Sequence, residues 1–220
     1  MNPKFRDRTE AGQLLAEKLQ KYANCSDVLV MGLPRGGVPV AYQVAKALNA
    51  PLDVCLVRKL GVPGQKELAM GAIAPNGVMV LNNEILRMMR ISRQSLRQVA
   101  EAEKQELERR DRAYRGDRLL PDICDRTVLL VDDGIATSST IRAAIATLKQ
   151  QNPKQIVVAV PVAPPSTCQS LKAIVDDVVC LFTPEPLSSI GMWYRDFSQT
   201  SDDEVRQCLE QSTEFATTTG

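Results

Sequence analysis

Short aliphatic runs recur along the chain, and segments with apolar residues at helical spacing lie between them. Such runs are typical of strands that are buried on both faces. They cover residues 28–31, 52–57, 128–131, 156–160 and 178–181. The alternation of strands and helices predicts an α/β fold, in which a mostly parallel, twisted sheet carries helices on both faces.

A strongly charged segment, residues 83–118, is set apart as a helical insertion. Ser92 is a suitable N-cap inside it, so two helices are expected. Acidic and basic residues are interleaved there, which favours a solvated helix or a subunit contact over an RNA-binding face. Ahead of the insertion, Asn76-Gly77 predicts a type I′ hairpin. Residues 60–67, rich in glycine and proline, predict a mobile loop.

Two terminal elements can also be predicted. Thr9 is a plausible N-cap for a helix that continues to about Tyr22. Residues 211–220 resemble a frayed tail. The intervening sequence contains no repeat and no linker, so a single domain over residues 1–220 is expected.

Composition narrows the possible partners and compartment. The 27 Lys and Arg residues nearly balance the 26 Asp and Glu residues, so no overall field attracts nucleic acid or an anionic membrane. The first residues are too polar for a signal peptide, and no apolar run reaches membrane-spanning length. A cytoplasmic protein is therefore the simplest expectation.

The chain has no histidine, and its six cysteines are scattered without a CxxC pair. Serine-histidine catalysis, cysteine-histidine catalysis and histidine-ligated metals are thus excluded. Any chemistry must use carboxylates, Lys and Arg, hydroxyls, backbone N–H groups or an oxygen-ligated ion such as Mg²⁺.

The most informative segment follows the aliphatic run 128–131. Asp132 and Asp133 come first, and a hydroxyl-rich turn then leads into a helical segment. Ligands bind at the C-terminal ends of strands in open α/β sheets. Carboxylates can accept hydrogen bonds from sugar hydroxyls, while turn N–H groups and a helix dipole favour a phosphate. A solvated Asp-Asp turn before an N-capped helix is the alternative.

This segment resembles the motif of type I phosphoribosyltransferases that binds phosphoribosyl pyrophosphate (PRPP). The resemblance implies that Asp132 and Asp133 bind the ribose 2′- and 3′-hydroxyls. It also implies a wrap around the 5′-phosphate by Ala136, Thr137, Ser138, Ser139 and Thr140. Many family members have glycine where this chain has Ser138 and Ser139.

Two further segments resemble parts of the same site. The turn Gly32–Val38 is similar to the pyrophosphate loop, which implies pyrophosphate contacts from Arg35, Gly36 and Gly37. That family often has a non-proline cis peptide bond in this loop. A Rossmann site is the rival interpretation, but the spacing is not G-x-G-x-x-G. A tight strand-to-helix turn without a ligand is the other alternative.

The cations after the second strand form the next candidate group. Arg58-Lys59 resembles the Arg-Lys pair of orotate phosphoribosyltransferases, which implies a pyrophosphate role; two solvated cations are the alternative. Lys66 and Glu67 fall in the predicted mobile loop, which in the family closes over the substrates and excludes water.

A small hood over the acceptor is expected from the N-terminal region and residues 184–210. Trp193 and Tyr194 lie in it, and aromatic rings often stack on planar bases. They are equally ordinary anchors for an irregular segment.

The resemblance as a whole implies transfer of the 5-phosphoribosyl group from PRPP to a nitrogen acceptor, a nucleobase, with release of pyrophosphate. Asp132, Asp133, Arg58 and Lys59 would be the catalytic residues. Mg²⁺ would bind through PRPP oxygens, with Asp132 and Asp133 as the candidate protein ligands. A homodimer, with neither membrane nor nucleic acid as partner, is expected. A regulatory PRPP- or nucleotide-binding protein is the main alternative; for a nucleoside-phosphate hydrolase no motif is found.

Overall fold

The structure is a computed structural model, and it describes residues 4–216 apart from the side chains of Glu67 and residues 214–216. The strands are β1 (Val28–Gly32), β2 (Leu52–Val54), β3 (Arg58–Val62), β4 (Gln65–Ile73), β5 (Met79–Leu81), β6 (Thr127–Val131), β7 (Gln155–Val162) and β8 (Asp177–Phe182). The helices are α1 (Arg8–Lys18), α2 (Gly37–Leu48), α3 (Asn83–Met88), α4 (Arg93–Arg115), α5 (Ser139–Lys149), α6 (Pro165–Lys172) and α7 (Asp202–Ala216), with 3₁₀ turns at Gln20–Tyr22 and Ile190–Trp193.

The chain divides into two compact units, and each is described by itself. The first takes the described parts of residues 1–55, 121–138 and 153–220. The second takes residues 56–120 and 139–152.

The first unit is built on a five-stranded parallel sheet in the order β2-β1-β6-β7-β8. Every residue of β1 and β6 is buried, as their aliphatic sequences predicted. Helices α1, α2, α6 and α7 pack against this sheet. The predicted α/β class, a mostly parallel sheet flanked by helices, is therefore confirmed.

Helix α1 begins slightly earlier than its sequence pattern predicted. The N-cap is Asp7, whose side chain accepts a hydrogen bond from the Glu10 N–H, and not Thr9. The C-terminal segment also differs from its prediction, because α7 continues to Ala216 where a frayed tail was expected from residue 211. Val205 and Leu209, one turn apart, are buried and fix that helix.

The second unit is an antiparallel sheet in the order β3-β4-β5 together with α3, α4 and α5. The prediction of a mobile loop at 60–67 is wrong in part. Most of these residues belong to the β3–β4 hairpin, which turns at Pro63 and Gly64. The two predicted helices, α3 and α4, are confirmed, with Ser92 as the N-cap of α4.

The β4–β5 hairpin exists, but its turn is not type I′. Gly77 has a φ of +78°, whereas Asn76 is not left-handed as type I′ requires. The Gly77 N–H instead donates to the Ala74 carbonyl, which gives a four-residue turn over residues 74–77 whose last residue is the left-handed glycine. Within residues 4–216, no helix is both long and apolar enough to cross a membrane.

Candidate functional site

Two of the predicted site loops meet in the first unit. Strands β1 and β6 are paired in parallel register with Gly32 beside Val131, so the loops that leave them start at the same level. The Leu33 N–H donates to the Val131 carbonyl at 2.9 Å and ties the loops together. The peptide bond between Pro34 and Arg35 is cis, as it often is in the family that the sequence resembles.

Glycine is required in the loop that follows β1, because Asp132 and Asp133, the acidic pair, lie directly against it. A Cβ atom on Gly36 would lie 2.0 Å from Oδ2 of Asp133, and one on Gly37 would lie 2.8 Å from the Cα atom of Asp132. Gly36 itself has ordinary right-handed dihedrals, φ −63° and ψ −30°. Close approach, and not an unusual backbone conformation, therefore explains this glycine.

The two carboxylates have different partners. Oδ1 of Asp132 accepts a hydrogen bond from the Asp133 N–H at 2.9 Å. Oδ2 of Asp133 accepts a hydrogen bond from Nε of Arg8 at 2.9 Å, and Nη2 of the same guanidinium lies 2.8 Å from this oxygen in an ion pair. Both side chains of this ion pair are mostly buried, at 13% exposure each. Arg8 also donates from Nη1 to the Ser198 carbonyl at 2.7 Å, and its guanidinium lies 4.1 Å from the centre of the Phe197 ring.

Burial dominates the electrostatics of the acidic pair. Burial, together with the neighbouring charge of Asp133, holds the pKa of Asp132 well above its usual range. Burial also raises the pKa of Asp133, and the Arg8 guanidinium opposes that shift. The Tyr194 hydroxyl donates to the Asp133 carbonyl at 2.6 Å, and burial raises its pKa.

The predicted phosphate-binding residues are mostly exposed. Ala136 and Thr137 lie on the surface of the first unit, and Ser138 is half-buried. Ser139 and Thr140 are exposed and form the first turn of α5 in the second unit.

Arg35, the predicted pyrophosphate ligand of the loop after β1, lies near an acidic residue from the C-terminal part of the chain. Its Nη1 atom lies 3.9 Å from Oδ1 of Asp202, the first residue of α7, and both side chains are about 40% exposed. No feature of the sequence pointed to Asp202, because it is distant along the chain from the loop.

Arg58 and Lys59 belong to the second unit and begin β3, so they do not directly follow β2 as predicted. Arg58 donates from Nε to Glu103 of α4 at 2.5 Å. Lys59 lines a cleft of about 570 Å³ that Ser139 and Arg142 of α5 also line. Two residues predicted for the phosphates of one ligand therefore share a cleft in this unit.

The remaining predicted loop residues are part of the hairpin. Lys66 is an exposed residue of β4. Glu67 is in the same strand, and its side chain lies outside the described residues.

The segment predicted as a hood is fixed to the N-terminal arm of the first unit, residues 4–7, which precedes α1. The Phe5 N–H donates to the Trp193 carbonyl and the Arg195 N–H to the Phe5 carbonyl, each at 2.8 Å. Trp193 stacks on Phe182, with 5.6 Å between ring centres. Tyr194 is 4% exposed and packs between Phe5 and Phe197, so it is an anchor of this segment.

A cleft of about 560 Å³ opens beside Trp193. Its walls come from the end of β8, the segment after it and the N-terminal arm; they include Lys4, Phe182, Thr183, Glu185, Met192 and Trp193. The bond between Glu185 and Pro186 in this wall is cis. The cleft combines apolar and aromatic side chains with charged groups, as small-molecule pockets commonly do.

Sequence reasoning missed Arg8 and the hydroxyl contact of Tyr194. Arg8 and Asp133 are 125 positions apart, and no local pattern marks such a pair. In the described part of the chain, no group of three or more Cys, Asp or Glu residues could hold a metal ion by itself.

The first unit is a parallel α/β sheet in which a glycine loop packs on two adjacent carboxylates at the strand ends. Comparison with known families assigns the chain. The chain belongs to the phosphoribosyl transferase domain family, whose model matches residues 8–187.

Individual relatives agree with this assignment. Two Mycobacterium tuberculosis proteins, "Putative phosphoribosyl transferase Rv0571c" of strain H37Rv and its counterpart MT0597 of strain CDC 1551, are each 44% identical over 208 residues. That match covers 94% of this chain and 47% of theirs, so the chain spans about half the length of these curated relatives. The crystal structure of TT1426 from Thermus thermophilus is 42% identical with a TM-score of 0.85, over 94% of this chain and 98% of that one.

Proposed function

We propose that the protein transfers the 5-phosphoribosyl group of PRPP to a nitrogen acceptor, a nucleobase, and releases pyrophosphate. The observation that carries the proposal is the packing of the Gly36-Gly37 loop on Asp132 and Asp133 at the C-terminal ends of β1 and β6. Membership of the phosphoribosyl transferase domain family supports the same reaction class.

The sugar and its phosphate are assigned to neighbouring parts of one loop. Asp132 and Asp133 accept hydrogen bonds from the ribose hydroxyls, because carboxylates are strong acceptors for such donors. Residues 136–140 hold the 5′-phosphate through hydroxyls, backbone N–H groups and the first turn of α5. Ala136, Thr137, Ser139 and Thr140 are exposed.

Departure of pyrophosphate is the difficult step. The C1–O bond largely breaks before the bond to the nitrogen forms, so positive charge develops on the ribose and negative charge on the leaving group. Arg35, Arg58 and Lys59 neutralise the leaving group. The reaction needs no protein nucleophile, which is compatible with a chain that has no histidine.

The donor set of the acidic pair fits Mg²⁺ held mainly by substrate. Mg²⁺ prefers oxygen ligands and is usually bound through one or two carboxylates together with substrate phosphates and water. Asp132 and Asp133 supply two adjacent carboxylates, and Oδ2 of Asp133 is already engaged by Arg8. When bound, the ion neutralises charge on the pyrophosphate.

The hood cleft beside Trp193 is the proposed acceptor site. A base stacked on Trp193 would gain about 1–3 kcal/mol, by analogy with other base–aromatic stacks. Tyr194 is given no direct contact with the acceptor, because it is buried in the anchor of the hood.

Lys66 and Glu67, on the β3–β4 hairpin, are proposed to cover the bound substrates and exclude water.

The test is to incubate the protein with PRPP, Mg²⁺ and single nucleobases, and to follow pyrophosphate release. Release that depends on one base supports the transferase. PRPP binding without release would favour the regulatory alternative, and absence of PRPP binding would refute both. Trp193→Ala should raise the acceptor's Michaelis constant about tenfold and leave that of PRPP unchanged, since ~1.4 kcal/mol corresponds to tenfold.

A further inference from the structure

The ion pair between Arg8 and Asp133 links the N-terminal helix to the acidic pair. We propose that Arg8 is a positioning residue for ribose recognition, which holds the Asp133 carboxylate so that its second oxygen faces the sugar diol. The inference rests on the proposed function, because it concerns how the same site distinguishes ribose from deoxyribose. Neither the sequence pattern nor the family match assigns Arg8 such a role.

Arg8 contacts only one oxygen of the Asp133 carboxylate. The hydrogen bond from Nε of Arg8 at 2.9 Å and the ion-pair contact from Nη2 at 2.8 Å both go to Oδ2. Among the described residues, no side chain or main-chain group donates a hydrogen bond to Oδ1. Oδ1 is therefore the oxygen of Asp133 that can accept a hydroxyl from a ligand.

Arg8 is itself held at three points. Its side chain bonds Asp133, its Nη1 donates to the Ser198 carbonyl, and its guanidinium lies over the Phe197 ring. Asp7, the N-cap of α1, fixes the backbone immediately before it. A planar guanidinium suits such a site because its donors have fixed directions, whereas a lysine ammonium offers one rotating centre.

Two further contacts constrain Asp133, one at its carboxylate and one at its main chain. Oδ2 packs directly against Gly36, since a Cβ atom added there would lie only 2.0 Å from it. Tyr194 bonds the Asp133 carbonyl and fixes the main chain. Groups held in advance by packing and hydrogen bonds recognise a ligand without the cost of ordering them at binding.

This arrangement predicts a specific defect in the absence of Arg8. Without its two donors, the Asp133 carboxylate can rotate and be solvated by water, so its hydrogen bond with a ribose hydroxyl weakens. Contacts with the 5′-phosphate involve residues 136–140 and should be less affected. The loss should therefore appear in the discrimination between sugars rather than in the affinity for sugar phosphates as a class.

The experiment compares three ligands by titration calorimetry without metal or acceptor: ribose 5-phosphate, its 2-deoxy analogue and its 3-deoxy analogue. The wild-type protein is expected to prefer ribose 5-phosphate at least tenfold over one or both analogues. Arg8→Ala should reduce that preference below about threefold, and Arg8→Lys should give an intermediate value. Arg6→Ala, at an exposed arginine on the same arm, is the matched control and should leave the preference unchanged.

The outcomes separate the inference from the proposed function. If the wild-type protein binds neither ribose 5-phosphate nor PRPP, the proposed function fails. If the wild-type protein binds and discriminates, and both Arg8→Ala and Arg8→Lys discriminate between the sugars as well as the wild-type protein does, the inference alone is wrong. Equal loss of affinity for all three ligands would also overturn it, because that is the result of general structural damage. Should Arg8→Ala fail to fold, Arg8→Lys decides by the same criterion.

Discussion

Replacing Gly36 with alanine should destabilise the protein through a single contact. The dihedrals of Gly36 allow alanine, and at such a position the change alone would stabilise by about 0.4–1 kcal/mol through the unfolded state. The new Cβ would, however, lie 2.0 Å from Oδ2 of Asp133, and ordinary contact begins at 3.4 Å. The carboxylate or the loop must therefore move by 1.4 Å, the difference between these distances.

That movement separates Asp133 from Arg8. Loss of one partner of a buried ion pair costs about 3–5 kcal/mol, and here both partners remain and can be partly solvated. A net loss of roughly 2 kcal/mol in the free energy of unfolding is expected after the gain at Gly36. Urea denaturation followed by circular dichroism measures it, and ribose 5-phosphate binding should weaken in parallel.

A double-mutant cycle with Asp133→Ala shows whether the carboxylate is the cause. Once the carboxylate is removed, the nearest neighbour of the new Cβ is the Arg8 Nε atom at 3.2 Å, the far end of a flexible side chain. In that background Gly36→Ala should be neutral or stabilise by up to about 1 kcal/mol. The coupling energy would then be about 2–3 kcal/mol, which is typical of residues in contact. An equal cost in both backgrounds would refute the argument.

Three further substitutions test the neighbouring contacts and the surface of α4. Asp132→Asn should increase stability at pH 7, because desolvation and the charge of Asp133 disfavour the ionised carboxylate, yet weaken PRPP binding at least tenfold; unchanged affinity would contradict the diol assignment. Tyr194→Phe should cost about 1–2 kcal/mol in urea denaturation, since the Asp133 carbonyl loses its buried donor. Hydrogen bonds from Arg109 and Arg110 lower the pKa of Glu106 to about 2. Its contribution to stability is therefore present above the usual value of 4.5 and lost as pH falls towards 2. Glu106→Gln should thus cost at most about 1 kcal/mol at pH 7, given its solvent screening, and progressively less below pH 4.5; a cost that does not depend on pH would exclude the ion pairs as its source.

The sequence predicted those parts of the fold that depend on local patterns. Continuous aliphatic runs identified β1 and β6, because strands buried on both faces admit few polar residues. Ser92 was recognised as an N-cap because Ile91 and Leu96 flank it as a hydrophobic staple. The acidic pair and the glycine loop could be placed at one edge of the sheet, since parallel strands end at the same side.

Contacts between residues that are far apart along the chain could not be predicted from the sequence. The bond between Arg8 and Asp133 depends on how α1 packs, and arginine in a first helical turn has many ordinary explanations. The β3–β4 hairpin was interpreted as a loop because Gly61, Pro63 and Gly64 are typical of loops, although here pairing with β4 imposes the strand. Asn76-Gly77 predicted the hairpin correctly but not the turn type, which Pro75 determines.

The chain's only tryptophan lies in the wall of the hood cleft, half-buried and stacked on Phe182. Indole emission depends on the polarity of its surroundings and on what lies against the ring. Selective excitation of Trp193 therefore reports on one known place in the molecule, with no added label. A nucleobase that enters the cleft should change that emission, whereas ribose 5-phosphate alone should not, so acceptor candidates can be screened without turnover.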